Sequence, residues 1–343
     1  MSYTPKFQEV LDKCTALLEQ SRGVATPEIQ EFFKESIRNL GPYERINNLY
    51  RIRPKRPVPG ERSRLQFFKF NKSQEYIWKN RSNRDLILKP RQAGITTMSC
   101  IRALDRCLWE DGINTAIMAH VLPNVRIYFR IIKTAFRAFQ TDWGSIYPVT
   151  NIVDNVNELA LKETGSTLRV CVETKGLTLD FLHISEACFV EDARISESLE
   201  SVPLTGEVVM ESTPNTASGM FYEIWDMWSR GEASTFKGIF FPWWVSYPEE
   251  EDLPHLKPNG KFTYTDKELL LVEQHDLTPE HILWRRLKLS EAGGDEGEFN
   301  RKYPEDPQTC FLSGSNSVFP PQILASLYKL QRLPAFVGEL TMK

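Results

Sequence analysis

The sequence predicts an α/β fold with a mainly parallel central sheet flanked by helices. Three observations carry this expectation. Strand-like apolar runs alternate with helical stretches from Leu86 onward, the β-α-β-α spacing of a parallel sheet. One run, Leu86-Ile87-Leu88, passes through a tight polar turn directly into a helix-like stretch, Thr96 to Trp109. Three runs end in polar residues, at Lys89, Ser185 and Ser212. Such strand ends place side chains in the crevice where open parallel sheets bind ligands.

The turn between the first strand and its helix is Lys89-Pro90-Arg91-Gln92-Ala93-Gly94-Ile95, followed by Thr96 and Thr97. A helix N-terminus after such a loop offers unpaired backbone N–H groups and a favourable dipole to an anion, so the segment can cradle a phosphate. Against the pattern G-x-x-x-x-G-K-[ST], Gly94 and Thr96 fit, Lys89 takes the first glycine position, and Ile95 stands where a lysine is expected.

Composition bounds the class. The 343 residues suffice for one large or two moderate domains, each with its own core. With 42 basic against 45 acidic residues the net charge is -3, so whole-chain electrostatics gives no sign of nucleic-acid binding and leaves local basic surfaces open. Cys14, Cys100, Cys107, Cys171, Cys188 and Cys310 show no C-x-x-C spacing, which reads as reduced thiols rather than a disulfide frame or a zinc site. No apolar run approaches the roughly 20 residues of a membrane span, and the N-terminus lacks signal-peptide shape.

In chain order, residues 1–64 read as a helical arm and linker. Thr26 is a fitting N-cap with Pro27 at the first helical position, and Ile29, Phe32, Phe33, Ile37 and Leu40 make one amphipathic helix stopped at Gly41. Arg51 to Arg64 is basic and proline-rich, an extended linker with nucleic-acid contact as the alternative. Gln74 lies just ahead of the first strand, and its amide can both donate to and accept from an adenine edge. Strands follow at Asn114–His120, with a helix over Pro123–Phe139, and a hairpin is expected from Asn157 to Val172. Asp180 to Ser185 is an apolar strand closed by Glu186, the Walker B form with serine in place of the usual aspartate. Gly206 to Thr213 is a strand, Gly219 to Trp228 a helix, and Phe236 to Val245 a buried strand broken at Pro242. Helices are expected over Asp266–Glu273 and Pro279–Ala292, the latter capped by Thr278, and over Pro320–Leu330.

Taken together and in order, these motifs resemble the large terminase subunit of tailed bacteriophages, over roughly residues 65 to 320. The resemblance rests on Gln74 ahead of the loop, Arg91-Gln92-Ala93-Gly94-Ile95-Thr96-Thr97, Met118-Ala119-His120, and Leu177 to Ala187 ending His-Ile-Ser-Glu-Ala. It continues through Glu211-Ser212-Thr213-Pro214-Asn215, Phe241-Pro242-Trp243, Leu277 to Arg285, and Phe299 to Phe311. It implies a P-loop NTPase fold of the additional-strand (ASCE) type, with a small helical lid-like subregion and domains at 1–64 (arm and linker), 65–320 (ATPase) and 321–343 (tail). The implied activity is Mg²⁺-dependent ATP hydrolysis driving double-stranded DNA into a procapsid. By the resemblance, residues 89–97 hold the nucleotide, Lys89 or Arg91 supplies the cation at the γ-phosphate, and Gln74 reads adenine. Thr96 is the magnesium hydroxyl, with Ser185 and Glu186 beside the metal. Glu186 orients the hydrolytic water, while Glu211, Ser212 and Thr213 form the coupling motif. Arg102, Arg106, Arg126, Arg130 and Lys175 are candidates for a trans-acting cation. Implied partners are DNA, a portal protein, a small terminase subunit and other copies in a ring of five, all in the host cytoplasm and with no membrane. The nuclease domain of the full family protein has no counterpart here, so no nuclease activity is expected. Two other functions fit the residues: a helicase-like ATPase, and a degenerate nucleotide-binding assembly module without turnover.

Overall fold

The computed structural model describes residues 3–55, 65–250, 252–257 and 262–312. Two compact units emerge, the first comprising residues 1–88, 92–212 and 219–241, the second residues 89–91, 213–218 and 242–343. The expected helix at Pro320–Leu330, the tail, and most of the basic linker lie outside the described residues.

The first unit begins with three helices, α1 (Pro5–Gln20), α2 (Pro27–Leu40) and α3 (Pro42–Leu49), where the sequence announced only the second. Thr26 caps α2 as expected, accepting from the Ile29 N–H. Helix α3 escaped periodicity because its buried set includes Arg45, Asn47 and Asn48. These polar groups are satisfied by specific partners rather than by an apolar stripe: Asn47 accepts from the Phe70 N–H at 2.8 Å, and Asn48 donates to the Glu44 carbonyl at 2.7 Å. The helices therefore share a compact unit with the sheet, whereas the sequence pictured an arm. Strands β1 (Arg51–Ile52) and β2 (Gln66–Phe67) pair antiparallel.

Helix α4 (Lys72–Asn80) opens on a reciprocal cap, with Asn71 accepting from the Gln74 N–H and Gln74 accepting from the Asn71 N–H. The central sheet then forms from β3 (Arg84–Leu88), β4 (Asn114–Met118), β5 (Asn151–Asp154), β6 (Glu158–Leu161), β7 (Thr167–Cys171), β8 (Phe181–Ser185), β9 (Glu207–Ser212) and β10 (Lys237–Phe240). Their order is β10-β3-β9-β8-β4-β7-β6-β5. From β10 to β7 every pair is parallel, and β5 and β6 add an antiparallel edge. Helices α5 (Ile95–Trp109), α6 (Leu122–Trp143), α7 (Asp192–Glu200) and α8 (Met220–Ser229) complete the unit.

The order settles the fold class. Strand β9 lies between β3, which feeds the loop, and β8, which ends at Ser185, so one additional strand separates these two strand ends. All five residues of β3 and of β8 are buried, as strands covered on both faces must be. Ile95, standing at the lysine position of the loop, is 1 % exposed and belongs to the core.

The second unit carries α9 (Asp266–His275), α10 (Pro279–Glu291) and α11 (Glu296–Lys302) around an aromatic cluster. Trp284 stacks on Trp243 with ring centroids 5.0 Å apart and on Tyr247 at 4.7 Å, and Tyr303 meets it edge-on at 5.0 Å. Such pairs contribute about 0.5–1.5 kcal/mol each beyond area burial. Trp243, Trp284 and Phe299, which stood out as motif residues, are this unit's core.

Candidate functional site

In the first unit the site begins at Gly94, whose φ of 79° is left-handed. Gln92, at φ 61°, is left-handed as well, so the chain doubles back just before α5. Glycine is needed at 94 on a second ground: a Cβ there would lie 2.8 Å from Gln74 Nε2. That nitrogen donates to the Gly94 carbonyl at 2.8 Å, while Asn71 Nδ2 donates to the Ala93 carbonyl at 3.2 Å. Gln74, 3 % exposed, thus ties the N-terminus of α4 to the loop. One N–H and one lone pair remain for the adenine contact the sequence assigned to it. Helix α5 follows with its first-turn N–H groups facing the loop end, the geometry that favours an anion.

Three oxygens converge next to that helix start. Thr96 Oγ1 donates to Glu211 Oε1 at 3.0 Å, and Ser185 Oγ donates to the same oxygen at 2.9 Å. The two hydroxyls stand 3.3 Å apart. Sheet register explains the meeting, since Ser185 at the end of β8 is paired with Glu211 on β9 and paired residues project to one face. Tyr128 of α6 approaches Ser185 Oγ at 3.0 Å. Glu211 and Ser185 are fully buried, as is His183, two residues earlier on β8.

Glu186 follows β8 with φ 55° and ψ 48°, a left-handed conformation that costs a non-glycine residue about 1–2 kcal/mol. Backbone strain of this kind clusters at functional sites. The turn carrying Glu186 is fastened to the end of β9, because Ser212 Oγ accepts from the Cys188 N–H at 3.1 Å.

Lys89, Pro90, Arg91 and Thr213 fall in the second unit. There the backbone of residue 91 is held on both sides: its N–H donates to the Lys302 carbonyl at 2.9 Å, and its carbonyl accepts from the Tyr247 hydroxyl at 2.7 Å. Lys89 is 4 % exposed and Thr213 is buried, while Arg91 is exposed.

The structure brings Thr96 and Ser185 within 3.3 Å of each other and sets Glu211 between them. From the sequence, Glu211 enters only through the coupling motif that the resemblance implies. The available signal was the pairing of two neighbouring strand ends, one lacking an expected carboxylate and the other carrying one. Among the cationic candidates, Arg102 is paired with Glu207, and Arg106 with Glu110 at 2.8 Å and Glu207 at 3.5 Å, so both are engaged within the fold. Arg126, Arg130 and Lys175 are exposed. Among the described residues no group of three or more His, Cys, Asp or Glu side chains forms a metal cluster, and no helix is long and apolar enough to cross a membrane.

No protein-family model and no curated protein matches the chain. Solved structures do. The ATPase domain of the Thermus phage P74-26 large terminase is 19 % identical, with 55 % of this chain and 86 % of that one covered and a TM-score of 0.44. The HK97 bacteriophage large terminase is 14 % identical, with 76 % and 53 % covered and a TM-score of 0.48. A large terminase from a thermophilic bacteriophage, in complex with ADP, is 12 % identical, with 51 % and 46 % covered and a TM-score of 0.36. All three are phage large terminases or parts of them. The chain spans about half the length of the latter two.

Proposed function

We propose that this chain is the ATP-hydrolysing motor region of a phage large terminase, converting ATP turnover into translocation of double-stranded DNA. The observation that carries the reading is the meeting of Thr96, at the start of the helix after the phosphate-type loop, with a buried carboxylate and Ser185 at adjoining parallel strand ends. The ordered motif set in the sequence narrows a nucleotide hydrolase to a terminase.

In this reading the first-turn N–H groups of α5 cradle phosphate, and Lys89 or Arg91 offsets charge on the β- and γ-oxygens. Thr96, Ser185 and Glu211 offer only oxygen donors, the set magnesium prefers. When bound, Mg²⁺ neutralises charge developing on the β- and γ-oxygens. Glu186 orients the attacking water, its left-handed backbone setting the carboxylate just past the strand end. Gln74 carries contact with the base to the loop through Gly94. Ser212 links nucleotide state to the Glu186 turn. Double-stranded DNA, a portal protein, a small terminase subunit and a ring of five copies are the partners this function implies, with Arg126, Arg130 or Lys175 available to act in trans.

Steady-state phosphate release with Mg²⁺, measured with and without linear double-stranded DNA, tests the proposal. Turnover stimulated by DNA is the expected result. Nucleotide binding without turnover under every condition would instead favour an assembly module.

A further inference from the structure

We propose that Glu211 supplies the metal-side carboxylate of this site, the acidic group having moved from the end of β8 to the paired position on β9. This rests on reading the site as one that binds nucleotide with a divalent cation.

The inference starts from Ser185, which stands where an aspartate is expected ahead of Glu186. A serine is neutral and cannot alone offset a divalent charge. Strand β9 carries Glu211 directly across from it, and register partners share one face of the sheet, so a carboxylate at either position serves the same small volume. The side chain does reach that volume, with Oε1 2.9 Å from Ser185 Oγ and 3.0 Å from Thr96 Oγ1. Both hydroxyl protons point at this oxygen, so it acts as acceptor of two bonds. The same arrangement leaves the lone pairs of Thr96 Oγ1 turned away from Glu211 and available to a cation.

A second observation comes from the neighbouring residue on β8. His183 is fully buried on the same face of β8, its Nε2 is 3.6 Å from Glu211 Oε1, and neither ring nitrogen has a hydrogen-bond partner within the described residues. Buried polar atoms without partners are rare, and a bound ion or its water is one arrangement that satisfies them. The shell of a hydrated cation held at Glu211 supplies such a water. The carboxylate thus stands on β9 instead of at the end of β8, and the metal contact belongs to the strand that also ends in Ser212. Departure of the metal-bound nucleotide is thereby felt directly on β9, next to the residue that holds the Glu186 turn.

The test compares wild type, Glu211→Gln and the double exchange Ser185→Asp with Glu211→Ser. Affinity for a non-hydrolysable ATP analogue is measured in EDTA and in Mg²⁺, and Mn²⁺ binding to the analogue complex is followed by electron paramagnetic resonance. In Glu211→Gln the metal-dependent gain in affinity and the Mn²⁺ affinity fall by about 10- to 100-fold, the range typical for disturbing the groups around a metal. The loss is read against the same variant's own affinity in EDTA, and the double exchange recovers most of it. Folded Glu211→Gln that binds Mn²⁺ as tightly as wild type overturns the assignment while leaving the nucleotide site intact. If Glu211→Gln does not fold, the double exchange decides, since absence of Mn²⁺ binding in the folded exchange variant refutes the relocated carboxylate. Wild type that binds no nucleotide with or without metal overturns the proposed function itself.

Discussion

The Tyr128 hydroxyl donates to Ser185 Oγ across 3.0 Å, because the one Ser185 proton is committed to Glu211. Burial pushes the phenol up to about 12, so Tyr128 keeps its proton through the neutral range and remains a donor. The relay runs from helix α6 through the end of β8 to the carboxylate on β9. Tyr128→Phe keeps the ring and removes only the donor. The expected cost is about 1 kcal/mol in urea unfolding, one hydrogen bond between buried groups. A neutral or stabilising result would show that the phenol packs without donating.

Glu186→Gln preserves shape and removes the charge that orients water. Its backbone already sits in the left-handed region for both side chains, so folding is unaffected. ATP-analogue affinity is expected to stay within error of wild type while turnover drops about 10²- to 10⁴-fold, the range for losing a positioned acid–base group. Normal turnover in this variant removes Glu186 from the chemistry.

Gly94→Ala combines two penalties. The left-handed φ of 79° costs any Cβ-bearing residue about 1–2 kcal/mol. The new methyl also meets Gln74 Nε2 at 2.8 Å. Gln74→Ala removes the obstacle but forfeits the bond to the Gly94 carbonyl. The double variant should therefore cost less than the sum of the singles, by about 0.5–3 kcal/mol, the coupling seen between contacting residues. Strict additivity in a double-mutant cycle would mean that the alanine escapes the glutamine by a loop shift.

How much of this was legible in advance follows from which interactions are local. The β3-loop-α5 unit, the Asn157–Val172 hairpin and the Thr26 and Thr278 caps announce themselves, because their signals are short-range. Helix α3 does not, since Arg45 and Asn48 are buried by partners distant in sequence. The place of Glu211 was hidden for the same reason: only sheet register sets it beside Ser185, 26 positions earlier. The Trp243, Trp284 and Tyr303 motifs are visible as motifs, but their role as one aromatic cluster depends on packing between separate segments.

In the second unit, acid should weaken the fold through Glu268. Hydrogen bonding to Arg286 lowers its carboxyl from 4.5 to about 2, and the Thr265 N–H adds a capping bond. Because the folded value lies below the ordinary one, the contribution is complete above 4.5 and disappears as pH falls towards about 2. Glu268→Gln should be less stable than wild type at neutral pH, with the gap closing over that acidic window. A gap that stays constant with pH would show that the Arg286 pairing contributes nothing beyond the cap.

The Arg45–Asp105 pair fastens α3 to α5, the helix that starts at the phosphate-type loop. Arg45 Nε lies 3.0 Å and Nη2 2.8 Å from the carboxylate, Tyr50 donates to it at 2.7 Å, and Trp109 Nε1 donates to the Tyr50 oxygen at 3.1 Å. Both charged side chains are buried, so removing one leaves the other stranded in a medium that cannot solvate it. Asp105→Asn preserves volume and an acceptor for Tyr50 but strands the guanidinium, at an expected cost of about 3–5 kcal/mol. Arg45→Met strands the carboxylate at a similar cost. Combining the two removes both charges, and the double variant should recover well over half of the summed loss in urea unfolding, since no uncompensated charge is left buried. Full additivity would show that the two charges do not depend on each other, and that α3 is held to α5 by packing alone.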